Sequence, residues 1–561
     1  MYNFVLRIKE IALAVIKVVL LLWSWVRYPF YAAKNGMVLR LIGVTPVISV
    51  PFEGVFNGQE ETLRSFTALA DLFDENEIEY FVVPKSNGQY ALAIMSGHRE
   101  RAIEIIDKSF QFKGYYFQIT KYKFNTKLTR LLDLGLPTKG VNNISAISIY
   151  RNIGARKSRI IFGETYNASV EFWSRAEDLT PELRRRAMAE SGVLEESVLA
   201  GSIVAPVYNG VAKVFSAVDQ RVSTIKINDK QYPTLEIFKE KLLGKVEFPI
   251  DVVYTWVDGS DPRWLEKYTT ARKEIEPDFK NNSMARYSDH EELKYSLRSL
   301  EMYAPWIRNI FIVTDNQKPH WLRSGADRRI KFVNHKDIFS DSAALPVFNS
   351  HAIESQLHHI SGLSEHYLYV NDDIIFANPT TPETFFYPNG IAKVQPSSAT
   401  VGTGSPTQHE SAPSSAGKNA RNIIRNTFGI YAANKYRHTV LPQIKTVALE
   451  IEDKNASVIQ NTMFSKFRSP TDVPFASNLM QGYLLASGCG VAQPFPAITV
   501  DVSKSSSSYT LKTLLKPHTF VTICLNETIT DTTEEDKVHI RVKKFLNEFL
   551  PYPSTWEVKD D

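Results

Sequence analysis

From residue 250 onward three strand-like apolar runs each end in Asp or Asn: IDVVYTWVD closes on Asp258, NIFIVTDN on Asp315 and Asn316, and HYLYVNDD on Asp372 and Asp373. Between the first two, Ser288 and Glu291 have the S-x-x-E spacing of a capping box, and Leu293, Leu297 and Leu300 recur on one face of the helix it would open. Ala304 and Pro305 end that helix. Strand, helix, strand with polar residues at the strand ends predicts a mainly parallel α/β sheet, and such sheets bind ligands outside the carboxyl ends of their strands.

The preceding region, 46–245, reads differently. FVVP at 81–84, YALAIM at 90–95, a helical stretch from Arg99 to Lys108 and YYFQIT at 115–120 predict a smaller α/β accessory domain with no catalytic constellation. A helix over 180–192 follows, with Thr180 as N-cap, Gly192 after its end, and Arg184 to Arg186 as a solvated basic face. The expected organisation is therefore a segment 1–45, an accessory domain 46–245 and a catalytic domain 246–561.

Residues 1–50 carry Arg7, Lys9, Lys17, Arg27, Lys34 and Arg40 against Glu10 alone, whereas the 561-residue chain as a whole is only +4. The remainder is close to neutral, which gives no general argument for nucleic-acid binding. The apolar run 11–26 would reach about 24 Å as a helix, short of a hydrocarbon core of about 30 Å. With Trp23, Trp25, Tyr28 and Tyr31 beside it, the segment reads as a membrane-surface anchor, a tilted span or a buried amphipathic helix. Only Cys489 and Cys524 are present, which excludes a disulfide scaffold and a cysteine-built zinc site and fits a reducing compartment.

Asn371, Asp372 and Asp373 stand first among residues that could carry chemistry, since carboxylates after a strand can hold Mg²⁺ on a nucleotide diphosphate. Neighbours in an extended chain point to opposite faces, so only one of the two reaches a substrate unless the chain bends at once. His351, Glu354 and His358 fall near one helical face, where a zinc triad competes with a helix presenting Glu354 to the pocket. Residues 396–417, rich in Ser, Pro and Gly, predict a mobile loop, and Lys418, Arg421 and Arg425 follow it as a basic stripe. His438 and Arg468 would supply a base and an anion clamp for phosphoryl transfer if the fold brings them to Asp373.

Four blocks of the chain resemble the Stealth family of capsular sugar-phosphate transferases: DVVYTWVDGSD at 251–261, residues 286–322, residues 348–376, and FRSPTDVPFASNLMQGYLL at 467–485. FVTICLNE resembles that family's closing strand. The resemblance implies a Rossmann-like, GT-A-like sheet and transfer of a hexose 1-phosphate from a nucleotide diphosphate sugar to a glycan hydroxyl. It implies catalytic roles for Glu354, Asp373, His438 and Arg468, and substrate contacts from Asp258, Asn371, Asp372, Lys418, Arg425 and Asn526. Mg²⁺ on Asp372 and Asp373, a polysaccharide acceptor in capsule or exopolysaccharide synthesis, and a cytoplasmic location on the inner face of a bacterial membrane complete the expectation. The competing readings are a glycosyltransferase that releases nucleoside diphosphate and a membrane-tethered glycan-binding protein without turnover.

Overall fold

The computed structural model describes Tyr28, Ala32 and residues 36–558 except for 43–44, 53, 86–87, 112, 122–127, 132–135, 137–140, 156–159, 276–283, 288, 324, 326–327, 408 and 528–534. The apolar run 11–26 and Ser288 lie outside these residues. The chain divides into two compact units, Met1–Leu242 and Leu243–Asp561.

In the first unit one mixed sheet runs in the order Val222–Ile227, Lys230–Leu235, Phe81–Pro84, Tyr90–Met95, Ala168–Arg175, Ile144–Arg151, Tyr115–Lys121, Leu128–Leu131. Helices Gly58–Glu75 and Arg99–Phe110 lay Phe66, Leu69, Phe73, Ile103 and Ile106 against it. The Pro181–Ser191 helix has the expected ends: the Thr180 side chain accepts from Leu183 N, and Gly192 turns left-handed at φ 69°. Tyr28 is not an interfacial residue, because it is buried with Val47, Ile48, Tyr116 and Tyr150.

The second unit is built on a sheet of order Ile330–Asn334, Ile310–Thr314, Ile250–Thr255, His366–Asn371, Leu441–Ile444. The first four strands are parallel and the last is antiparallel to its neighbour. Ile310–Thr314 is buried throughout, as a strand covered on both faces must be, whereas the edge strand Ile330–Asn334 is half exposed. Numbered along the chain, the parallel strands stand 3-2-1-4, so the order reverses between Ile250–Thr255 and His366–Asn371. That reversal opens a crevice at the carboxyl ends of the two strands, where doubly wound sheets bind ligands.

At that point the chain turns sharply. After Asn371 it passes through Asp372 and Asp373 and enters Ile374–Phe376, which pairs with Thr522–Asn526 in a second, smaller sheet with Ile374 opposite Cys524. The helix Glu292–Tyr303 holds the turn from behind. Its Ser296 hydroxyl donates to Ile374 O at 2.5 Å, and its Ser299 hydroxyl accepts from Phe376 N at 2.9 Å.

Three local expectations need correction. The helix carrying Leu293, Leu297 and Leu300 begins at Glu292, and Glu291 precedes it at φ 65° with its N–H donated to Asp289 Oδ1; an Asp-based turn therefore opens it, with Glu291 outside the first turn. The helix holding His351 and Glu354 is only Ser350–Glu354, and a separate turn at Leu357–His359 redirects His358 to Glu452 Oε2 at 2.8 Å. His351, Glu354 and His358 thus share no face. Within 396–417, Pro396–Thr400 is a strand paired with Asn434–Tyr436, and the helix Ala412–Phe428 starts inside the Ser-rich stretch because Ser415 and Ala416 are fully buried there.

Candidate active site

The parallel register sets Thr255 beside Asn371 at the carboxyl ends of the two central strands. A cleft of about 190 Å³ opens there, lined among others by Thr255, Trp256, Ser350, Asn371, Asp372 and Arg468. Because the chain bends immediately after the strand, the adjacent carboxylates part company. Asp372 faces the cleft, while Asp373 turns to His438 and Cys524. Asp373 N donates to Asp372 Oδ1 at 3.1 Å, which fixes the turn.

On the Asp373 side, Asn371 Nδ2 lies 2.7 Å from His438 Nε2, and His438 Nδ1 lies 3.0 Å from Cys524 Sγ. Cys524 Sγ donates to Asp373 Oδ2 at 3.3 Å. Burial, then the neighbouring Asp373 carboxylate, pushes the Cys524 thiol well above its usual range. Asp373 Oδ1 is buried and has no hydrogen-bond partner in the structure.

Asp372 belongs to a carboxylate cluster. Burial, then the charges of Glu292, Asp373 and Asp289, raises it well above the carboxylate range. Burial likewise raises Asp289 to about 6, with the Asp258 charge adding to the effect, and Glu292 to about 7. Asp258 itself caps its own turn by accepting from Ser260 N and Oγ. Asp372 in the cleft and the orphaned buried Oδ1 of the adjacent Asp373 are oxygen donors of the kind a hard divalent cation takes.

Across the cleft, Arg468 Nη2 donates to Ser350 Oγ at 2.8 Å. Glu354 is buried beside it and accepts from Tyr369 OH at 3.3 Å, and Tyr369 OH lies 3.2 Å from Thr255 Oγ1. Burial raises the Glu354 carboxyl, opposed by the charges of His351 and Arg468. Asn349 ties this wall together: its side chain donates to Asp472 Oδ2 at 2.8 Å and to Ser465 O at 3.1 Å, and caps the Ser350–Glu354 helix.

Of the expected residues, Asn371, Asp372 and Arg468 line the cleft; His438 joins it through the Asn371 amide, Asp373 and Glu354 stand behind that lining, and Asp258 sits at the margin of the carboxylate cluster. The basic stripe is used otherwise. Lys418 is buried and pairs with Glu410 at 2.8 Å, and Arg421 binds the Gly402 and Gly404 carbonyls, so both hold the segment before their own helix. Arg425 is exposed, and none of these three lines the cleft. Asn526 ends its strand opposite Asp501 and is likewise absent from the lining. Sequence reasoning missed Asp289, Glu292, Asn349 and Cys524. The acidic run DHEE was a usable signal for the first two, whereas the lone Cys in an apolar strand gave none.

Known proteins bear on this geometry. Stealth protein CR1, conserved region 1, matches residues 248–276, and Stealth protein CR2, conserved region 2, matches residues 286–394. An exopolysaccharide phosphotransferase of Streptomyces coelicolor is 32% identical over 505 residues, covering 89% of this chain and 51% of that protein, so the chain spans about half of this relative's length. A second from the same organism is 33% identical, covering 86% of this chain and 81% of its own length. The exopolysaccharide phosphotransferase CpsY of Mycobacterium tuberculosis is 33% identical, covering 71% of this chain and 70% of its own length. Among solved structures, the galactosyltransferase LgtC in complex with donor and acceptor sugar analogues covers 53% of this chain and 95% of its own at 10% identity and a TM-score of 0.26, a likeness too slight to argue from. With more than four-fifths of the second relative spanned at one-third identity, and with both conserved regions falling on the strands and turns that build the cleft, the chain belongs to the Stealth family of exopolysaccharide phosphotransferases.

Proposed function

We propose that this protein transfers a hexose 1-phosphate from a nucleotide diphosphate sugar to a hydroxyl of a polysaccharide. The observation that carries the reading is a cleft at the sheet's switch point that a cation, Arg468, lines together with Asn371, whose amide in turn holds the imidazole of His438 at 2.7 Å. Transfer at phosphorus needs both: a group to take the acceptor proton and a fixed positive charge for the phosphoryl oxygens.

In this mechanism the acceptor oxygen attacks the sugar-proximal phosphorus, and the bond from that phosphorus to the bridging oxygen breaks. Nucleoside monophosphate leaves, and the acceptor proton passes to His438. Asp373 stands behind His438 rather than in the cleft, so it supports the base instead of serving as one. Arg468, set by Ser350 and backed by the Glu354 carboxylate, neutralises the equatorial oxygens. Asp372, which faces the cleft, and the free Oδ1 of Asp373 are the oxygens that would hold Mg²⁺, which when bound would supply charge neutralisation on the diphosphate. The inner face of a bacterial membrane is the proposed location, with the basic N-terminal segment as the contact.

The test is the bond that breaks. Purified protein with a panel of nucleotide sugars and a glycan acceptor is expected to release nucleoside monophosphate and to give a phosphodiester resonance in the ³¹P spectrum of the polymer. Stoichiometric nucleoside diphosphate with a phosphorus-free product would replace this reading with a glycosyltransferase, and donor binding without turnover would replace it with a glycan-binding protein.

A further inference from the structure

A neutral imidazole carries one proton, and His438 can serve as a base toward the cleft only if that proton sits on Nδ1. In hydrolase triads a carboxylate bonded directly to the ring decides this. Here Asp373 Oδ2 is 3.7 Å from Nδ1, too far for a hydrogen bond, and the Cys524 sulfur fills the gap at 3.0 Å from Nδ1 and 3.3 Å from Oδ2.

The thiol has a single hydrogen and three polar neighbours, of which Thr499 hydrogen-bonds the sulfur through its side chain and leaves Nδ1 and Asp373 to compete for the S–H. Donated to Nδ1, it would set the sulfur lone pairs against the Asp373 carboxylate and leave Nε2–H facing the Asn371 amide hydrogens at 2.7 Å. Donated to Asp373, three contacts close together: S–H to Oδ2, Nδ1–H to sulfur, and Asn371 Nδ2–H to the bare Nε2, with only the outer oxygens of Asn371 and Asp373 left without partners. Cys524 is held where this can happen, because it is 1% exposed and its strand pairs it with Ile374, the residue after Asp373.

We infer that Cys524 is a positioning residue whose thiol bridges Asp373 to His438 and holds the imidazole as the Nδ1–H tautomer, with Nε2 turned to the acceptor hydroxyl. The Asn371 amide occupies the place that hydroxyl takes. The inference rests on the reading of His438 as the base, and the thiol chemistry involves no change of its oxidation state.

Histidine-selective ¹⁵N labelling of the full chain, with His438→Gln to assign the signals, reads the tautomer without any substrate. The wild type is expected to show a protonated Nδ1 and a bare Nε2. Cys524→Ala is expected to populate the Nε2–H form, and Cys524→Ser, whose hydroxyl can donate and accept, to keep the wild-type pattern. In phosphotransfer, Cys524→Ala is expected to lower kcat about tenfold or more at unchanged donor KM, part of what a general base supplies, and Cys524→Ser to restore most of it. Cys524→Val, which fills the space without hydrogen bonding, decides in its place if the alanine variant does not fold. A wild-type Nε2–H signal, an unaltered tautomer in the apolar variants, or an unaltered kcat in them overturns the inference. If the wild type transfers no sugar phosphate, the proposed function falls while the ¹⁵N spectra still decide the role of the thiol.

Discussion

Asp372 sits among carboxylates that burial has already weakened as acids, and the consequence is a stability that depends on pH. Asp289, raised to about 6, binds its proton in the folded chain over a range where the unfolded chain has lost it. The folded state holds more protons between about pH 4 and pH 6, so stability falls as the pH rises through that window. At about 1.4 kcal/mol per pH unit, ionising Asp289 withdraws about 3 kcal/mol. The Tm of the wild type is therefore expected to drop from pH 4 to pH 7, and that of Asp289→Asn to drop less; equal slopes in thermal melts would rule out the cluster as the cause. Mg²⁺ added at pH 8 is expected to raise the wild-type Tm, and to raise it less in Asp372→Asn. For the chemistry, Asp373→Asn, His438→Ala and Arg468→Ala are each expected to lower turnover by about a hundredfold, the scale of losing a general base or a transition-state charge partner. Melts within a few degrees of wild type must accompany that loss. Three folded variants with near-normal rates would remove the site.

The short helix Ser350–Glu354 and the loop carrying Arg468 are separate in the chain and meet through one side chain. Asn349 accepts from His351 N to cap the helix, and donates to Ser465 O, Phe467 O and Asp472 Oδ2 to hold the loop. Phe348 N donates to Lys466 O beside it. Asn349→Ala removes the cap and takes one of two donors, the other being Ser469 N, from the fully buried Asp472 Oδ2, so it is expected to destabilise the fold by about 2–4 kcal/mol. Because Arg468 then loses its fixed place, kcat is expected to fall as well. Asn349→Asp keeps the cap but sets a carboxylate against Asp472, and is expected to be as damaging. Denaturant titration and steady-state kinetics on the two variants check this, and a stable, active Asn349→Asp would show that the cap alone matters.

For the whole molecule the question is what the N-terminal segment does. Arg7, Lys9 and Lys17 would each contribute about 1 kcal/mol at an anionic surface, beside the apolar run 11–26. The boundary for testing this comes from packing: Tyr28 and Ala32 belong to the core of the first unit, so a deletion must stop before them. Removal of residues 1–26 is expected to release the protein from membranes with unchanged Tm and turnover on a soluble acceptor. Aggregation or unfolding of the truncated protein would instead make the segment part of the core. The two units, Met1–Leu242 and Leu243–Asp561, carry separate cores, and the cleft belongs wholly to the second.

The apolar runs ending at Asp258, Asp315 and Asp373 were legible because strand burial and polar strand ends are written into consecutive residues, and the same holds for the Leu293, Leu297, Leu300 face and the Thr180 cap. Local pattern failed where a few residues had to choose between neighbours. The Ser-rich stretch looked like loop, yet Ser415 and Ala416 are buried in a helix, and His358 left the face of Glu354 because Glu452 offered it a partner. What no local pattern could contain is convergence. His438 and Cys524 meet across 86 residues, and Ser350 and Arg468 across 118, through strand register and loop closure. Local pattern was enough for the strands, the mainly parallel sheet they imply and the acidic strand ends, since these follow from interactions along a few turns of chain. The switch point, the carboxylate that faces the cleft, the basic residues that merely brace a loop and the thiol between Asp373 and His438 were legible only in the folded chain, since each depends on pairings between segments far apart in sequence.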